Sequence, residues 1–146
     1  MSREIKYRVW DNENKSYNDP YSYAYYALTQ DGGLDFYCHG DHMDEADPGV
    51  YFIEQYTGLK DKNGKEIYEG DIVEYLSYRK DYIGQVVFGF VDDSEGYYIE
   101  KHYGWGIYHD GYNTSLGDYA DDNMRCELVE VIGNIHENKE LLGGEE

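Results

Sequence analysis

The chain has 146 residues and sets 31 Asp and Glu against 12 Lys and Arg, a formal charge of −19. That charge argues against bare nucleic acid as a ligand, because a polyanion is repelled and the cations (Lys60, Lys62, Lys65, Arg79, Lys80 and isolated others) form no basic stripe. The length suits one domain that buries about 70% of its unfolded surface. Cys38 and Cys126 make no disulfide framework, and neither a signal peptide nor an apolar run of membrane length is present, so a reducing cytoplasm is the expected compartment.

Ile5, Tyr7 and Val9 alternate with Lys6 and Arg8 as in a half-buried strand, which Asp11 to Asn14 end with turn formers. The tyrosine-dense run Tyr21 to Leu28 reads as a strand, with a short helix as the alternative. Asp31-Gly32-Gly33 turns it back into a return strand, Leu34 to Cys38. His39 to Gly49 is expected to be an irregular acidic stretch kept out of regular structure by Pro48. Val50 to Tyr56 leads into Gln55 to Val73. There Asp61-Lys62-Asn63-Gly64 suits a type I turn with positive φ at its last residue, Gly70 breaks the chain again, and Asp71 restarts a strand. Ile83 to Val91 predicts a central strand, Asp92 to Gly96 a loop, and Tyr97 to Ile99 a strand pairing back. Lys101 to Arg125 reads as a long connection rich in glycine and aromatics, Cys126 to Ile135 as the closing strand, and Glu137 to Leu142 as a helical turn before a frayed tail, with no internal repeat.

Gln55 to Val73 resembles the core motif of the YopX family, small proteins encoded mostly by phages and prophages. Ile5 to Asp11 (I-K-Y-R-V-W-D) is similar to the family's opening I-K-F-R-A-W-D, and Val131 to Asn138 (V-I-G-N-I-H-E-N) to its closing V-I-G-N-I-Y-E-N. The three blocks keep the family's order and span nearly the whole chain. The resemblance implies a mainly β fold: an SH3-like β-barrel over 55–142, an N-terminal β extension over 1–54 and a short C-terminal helical turn, with 143–146 as a tail. It implies no established activity. The length of Lys101 to Arg125, His136 in place of tyrosine and Lys139 in place of proline depart from the family's pattern.

Cys38, His39, Asp41, His42 and Asp44 are ligand types for zinc, but their spacing lacks a second half, and a strand end followed by a polar loop explains them better. Asp92 to Gly96 and Asp118 to Asn123 lack the spacing of a calcium loop. No serine sits in a nucleophile turn, and Gly104-Trp105-Gly106 is not a phosphate loop. No metal or cofactor is expected. Glu69 and Asp71 read as turn residues. Tyrosine and tryptophan supply rigid contact area and carboxylates steer a basic surface, so the leading expectation is a non-enzymatic, phage-type accessory protein that binds a basic protein partner, with nucleic-acid mimicry as a specific version. The expected contact residues are Asp92, Asp93, Glu95, Trp105, Tyr108, Tyr112, Asp118, Asp121 and Asp122, placed on exposed loops. The alternatives are a homo-oligomer buried through its tyrosine-rich N-terminal hairpin and a glycan- or nucleotide-directed hydrolase.

Overall fold

A computed structural model describes residues 4–19, 22, 24–47, 49–92, 97, 99 and 101–143. The fold is mainly β, and the chain divides into two compact units, one of Lys6–Gln55 and one of Met1–Ile5 with Tyr56–Glu146.

In the first unit, β1 (Tyr7–Asp11) pairs antiparallel with β2 (Ser16–Tyr17) and with the first half of β6 (Tyr51–Lys60). β3 (Ala24–Leu28), β4 (Leu34–Cys38) and β5 (Asp41–Glu45) form a separate three-stranded sheet. Val9 and Trp10 of β1 and Leu34 of β4 are the buried apolar side chains among the described residues of this unit. Arg8 donates from Nε to Glu54 Oε1 at 2.8 Å and lies 4.3 Å from the Tyr17 ring centroid, while Tyr17 Oη donates to the same carboxylate at 2.9 Å. Glu54 is buried, and these two donors help to compensate its lost hydration. The Tyr7 hydroxyl receives the Leu28 amide at 2.7 Å and donates to the Tyr26 carbonyl, which fastens β1 to β3.

The second unit contains the rest of β6, β7 (Glu66–Tyr68), β8 (Asp71–Ser77), β9 (Lys80–Asp92), β10 (Lys101–His109), β11 (Tyr112–Ser115) and β12 (Val129–Asn134). Its five-stranded antiparallel sheet has the order β11-β10-β9-β8-β12 and curls into half a barrel. Ile67, Val73, Tyr75, Val86, Ile107, Leu116, Cys126 and Val129 form one buried core cluster in this unit. Single 3-10 turns occupy Leu116–Tyr119 and Lys139–Leu142.

The turn at Asp61 carries the most specific bonding in this unit. One carboxylate oxygen of the buried Asp61 accepts the amides of Asn63 and Lys65, both at 2.9 Å, and the other accepts the amide of Val131 at 2.9 Å. The hairpin and β12 are thereby fixed to each other by one side chain. Asp121 repeats the local half of this arrangement, its Oδ1 accepting the amides of Asn123 and Arg125. The backbone bonds match as well: Asp61 N–H to Lys65 O and Gly64 N–H to Asp61 O correspond to Asp121 N–H to Arg125 O and Met124 N–H to Asp121 O. The two turns are adjacent, since Lys60 N–H donates to Met124 O and Cys126 N–H to Lys60 O. Both need a left-handed residue at the fourth position, supplied by Gly64 at φ 82° and by Met124 at φ 62°.

Two of the sequence expectations are corrected. His39 to Gly49 is not irregular throughout, because His39 and Gly40 take φ of 52° and 85° in a two-residue turn that pairs Asp41–Glu45 (β5) back onto β4. Of the strand expected over Tyr97 to Ile99, Tyr97 and Ile99 lie in no strand, and the one that returns against β9 begins later. It is β10, starting at Lys101, and Asp110-Gly111 at φ 49° and 86° turns it into β11. Lys101 to Arg125 is therefore mostly a hairpin and not a connection. Its glycines hid this: Gly104 lies opposite Gly89 and Gly106 opposite Val87, as regular members of the ladder. Pro20, Tyr21, Tyr23, Pro48, Tyr98, the loop over 93–96 and the tail over 144–146 lie outside the described residues.

The positive φ values give a direct test. Gly64→Val should lower the urea-unfolding free energy by about 1–2 kcal/mol or more, because a β-branched residue resists the left-handed region. Met124→Gly should raise it by about 0.5–1 kcal/mol, since the exposed methionine has little packing to lose. Opposite signs at these two equivalent positions are the expected result, and equal signs would contradict the turn geometry.

Candidate functional site

Beyond Val86 and Ile107, rings on one face of β9 and β10 reach the surface, although Val91 on the other face is fully buried. Val86 and Ile107 are opposite each other and fully buried. On the same face, two and four residues further along, come Phe88 opposite Trp105 and Phe90 opposite Tyr103. Phe88 is 59% exposed, Phe90 49% and Tyr103 75%. Each cross-strand pair meets edge to face, with centroids 5.1 Å apart for Phe88 and Trp105 and 5.4 Å for Phe90 and Tyr103. This ladder of four rings is the face of the half-barrel carried past its core.

On the opposite face the backbone is bare at Gly89, Gly104 and Gly106, and the Asn113 side chain lies across it. Asn113 donates from Nδ2 to the Phe90 carbonyl at 3.1 Å. A Cβ on Gly106 would come within 2.8 Å of Asn113 Oδ1, so glycine is required for this crossing. Asn113 Oδ1 is buried and has no hydrogen-bond partner among the described residues. Beside it opens a groove of about 520 Å³ lined by Phe90, Asp92, Tyr108, Gly111, Tyr112 and Asn113. Aromatic, carboxylate and amide groups around an open volume suit non-covalent recognition.

The structure redistributes the residues singled out from sequence. Asp92 ends β9, Tyr108 lies in β10 and Tyr112 in β11, and all three line the groove. Trp105 is on a strand and not a loop, and strand alternation places it on the opposite face from Tyr108. Asp118 is exposed in the first 3-10 turn, and Asp121 and Asp122 are exposed just after it, none of them lining the groove. Asp121 already serves its own turn. Asp93 and Glu95 lie outside the described residues. Sequence reasoning missed Phe88, Phe90, Tyr103 and Asn113, although alternation from Val86 to Phe90 and the Asp110-Gly111 turn signal were available.

Cys38 and Asp41 flank the two-residue turn between β4 and β5, and His42 Nε2 lies 3.5 Å from Asp35 Oδ1 with its ring against Tyr37. Among the described residues no three His, Cys, Asp or Glu side chains converge as a metal site. A second open groove, of about 380 Å³, lies in the first unit, where the Tyr26 ring packs at a tilt against Tyr51 and Phe36, and burial together with the Tyr51 hydroxyl raises the Tyr26 phenol.

The fold defines a small antiparallel β protein with a curled half-barrel sheet, and no helix of the described residues is long and apolar enough to cross a membrane. The chain belongs to the YopX family, whose model, described as YopX protein, matches residues 6–143. It is similar to the crystal structure of protein EF1440 from Enterococcus faecalis, at 26% identity and a TM-score of 0.54, over 97% of this chain and 99% of that one. It is also similar in fold to protein yopX from Bacillus subtilis, at 20% identity and a TM-score of 0.51, over 96% and 98% of the two chains. No curated protein matches it.

Each of the three blocks that carry the family resemblance forms a side-chain-anchored turn. Asp11 accepts the amides of Glu13 and Asn14. Asp61 and Asp71 anchor the central block, Asp71 Oδ2 accepting the Tyr68 amide at 2.8 Å. Asn134 Oδ1 accepts the amides of His136 and Glu137, while its Nδ2 donates to Glu137. A Cβ on Gly133 would lie 2.5 Å from Asn138 Oδ1, which accounts for that glycine.

Burial pushes the Cys126 thiol up to about 11 and the Tyr75 phenol up to about 12, from ordinary values of 9.0 and 10.0. The folded state favours both neutral forms. Their contribution to stability is therefore complete below about pH 9 and is lost as pH rises through 11 and 12. At pH 8 a thiol reagent should titrate the half-buried Cys38 promptly and Cys126 only after denaturant is added. Equal reaction of both thiols in the native protein would contradict the closed packing around Cys126.

Proposed function

We propose that the protein is a non-enzymatic, phage-type binding module in which an SH3-like barrel, ending in a short helical turn, presents an aromatic and acidic surface to a basic protein partner. The observation that carries this reading is the exposure of Phe88, Phe90 and Tyr103, which continue as a ladder of rings from Trp105, itself packed against the core. Rings left in water at this density cost solubility unless another surface covers them, and they offer contact area that loses little entropy on binding. The formal charge of −19 supplies long-range attraction for a cationic surface and repels nucleic acid.

Capture from host lysate on the immobilised protein, at low and then high salt, tests this. A basic protein should be retained at low salt and released at high salt. Reversing Asp118 and Asp122 to lysine should slow association, because charges at a rim steer the encounter; Asp121 is spared because its carboxylate holds a turn. Phe88→Ser with Tyr103→Ser should speed dissociation by about tenfold or more, as loss of anchoring rings does. Retention that ignores both salt and these variants would overturn the reading. A mass that rises with concentration, with no partner retained, would point to self-association.

A further inference from the structure

We propose that the protein pairs with a second copy of itself along the open edge of β10, the two strands meeting antiparallel with Tyr103 opposite its own counterpart; this goes beyond the binding-module reading and does not depend on it. β9 and β10 are paired from Gln85 and Tyr108 out to Asp92 and Lys101, whereas β11 follows β10 only from His109 to Gly106. Lys101 to Trp105 therefore have β9 on one side and, among the described residues, no strand on the other. Such an edge is a template for another strand. Two other edges suit a copy less well. β12 is covered by the Asp61 turn, where the Lys62 amide donates to the Val129 carbonyl and the Asp61 carboxylate accepts the Val131 amide. β5 displays Asp41, Asp44 and Glu45, which a second β5 would meet with like charge.

The five free residues fix the register. In a two-fold antiparallel pair one residue faces itself, and directly opposed residues share a face of the sheet. Centred on Tyr103, the pair uses Lys101 to Trp105 and nothing else. On the ladder face the two Tyr103 rings meet, and Lys101 of each copy meets Trp105 of the other, which sets an ammonium beside an indole and away from its own counterpart. On the other face His102 meets Gly104, which has no side chain to clash. Centred on Gly104, His102 would fall opposite Gly106, which β11 already holds. Centred on His102, two imidazoles would face each other and Trp105 would have no strand residue opposite. Edge-to-edge pairing leaves the ring ladders uncovered and joins them into one face, still open to a basic partner. Two chains of −19 repel at long range, yet the edge itself contains Lys101 and His102 and no carboxylate. Salt screens that repulsion and leaves backbone pairing in place, so the copies associate more tightly as salt rises, opposite to the capture of a basic protein.

Sedimentation equilibrium of the full chain at low and high salt, with cysteine crosslinking in a Cys38→Ser background, tests the pairing. A monomer–dimer equilibrium with a Kd below about 1 mM should appear and tighten by about tenfold from low to high salt. Opposed Cβ atoms lie about 4.5–5.5 Å apart, so Tyr103→Cys should join two copies by a disulfide under mild oxidation. Lys101→Cys should not, because its counterpart sits four positions along the strand, roughly 13 Å away. Tyr112→Cys should not either, although Tyr112 and Tyr103 are equally exposed, at 75%. A monomer up to about 1 mM at both salts, an affinity that falls with salt, no crosslink at Tyr103, or crosslinking at Lys101 or Tyr112 that matches it would each overturn the pairing. A monomer that still captures a basic protein removes the pairing and leaves the binding module standing, and a salt-strengthened dimer that captures none does the reverse.

Discussion

One buried carboxylate organises the half-barrel unit. Asp61 is 1% exposed, and a charge withdrawn from water in this way is tolerable only where hydrogen bonds replace its hydration. It has three, all from backbone amides, and they come from both ends of the unit: Asn63 and Lys65 in the hairpin and Val131 in β12. Satisfying the carboxylate therefore requires β12 to sit in one register relative to the turn. The Lys62 amide on the Val129 carbonyl reinforces that register. With β12 placed against β8, Val129 and Cys126 close over Ile67 and Val73, and the core follows from the turn.

The same economy runs through the family's signature. Asp11, Asp71, Asn134 and Asn138 are polar because they bind neighbouring backbone, and Gly64, Gly70 and Gly133 are glycine because of a left-handed φ or a close approach. Side chains already committed to turns are poor candidates for ligand chemistry. Recognition is accordingly sought on the β9 to β11 surface, which lies outside the three signature blocks. Membership of the family and similarity to EF1440 and yopX bear on fold in the same way, since shared turns preserve a scaffold without prescribing what its surface contacts.

What could be read from sequence follows from how local each signal is. The Asp61 turn, the left-handed glycines at 64 and 70 and the β4 strand at Leu34 to Cys38 were legible because one short stretch contains all the physics. β5 was not, because all five of its residues are exposed and its sequence D-H-M-D-E has neither alternation nor β-branched residues; only pairing with β4 makes it a strand. β10 was missed because Gly104 and Gly106 lower strand propensity, whereas in the sheet Gly106 makes room for Asn113. The candidate site was half legible for a related reason. Composition located tyrosines and carboxylates near it, but which face each one occupies depends on register, and register separated Trp105 from Tyr108 and brought in Phe90 and Asn113.

Asp121 provides an internal control for the claim that Asp61 governs the fold, because it makes the same two local bonds at an exposed turn and, among the described residues, no hydrogen bond to a distant strand. Equilibrium urea unfolding of Asp61→Ala and Asp121→Ala compares them directly. Losing one exposed turn-anchoring carboxylate should cost about 1 kcal/mol, whereas leaving three amides without their charged acceptor in a closed interior should cost about 3 kcal/mol or more. Equal losses in the two variants, or an Asp61→Ala midpoint close to that of the unsubstituted protein, would contradict the account.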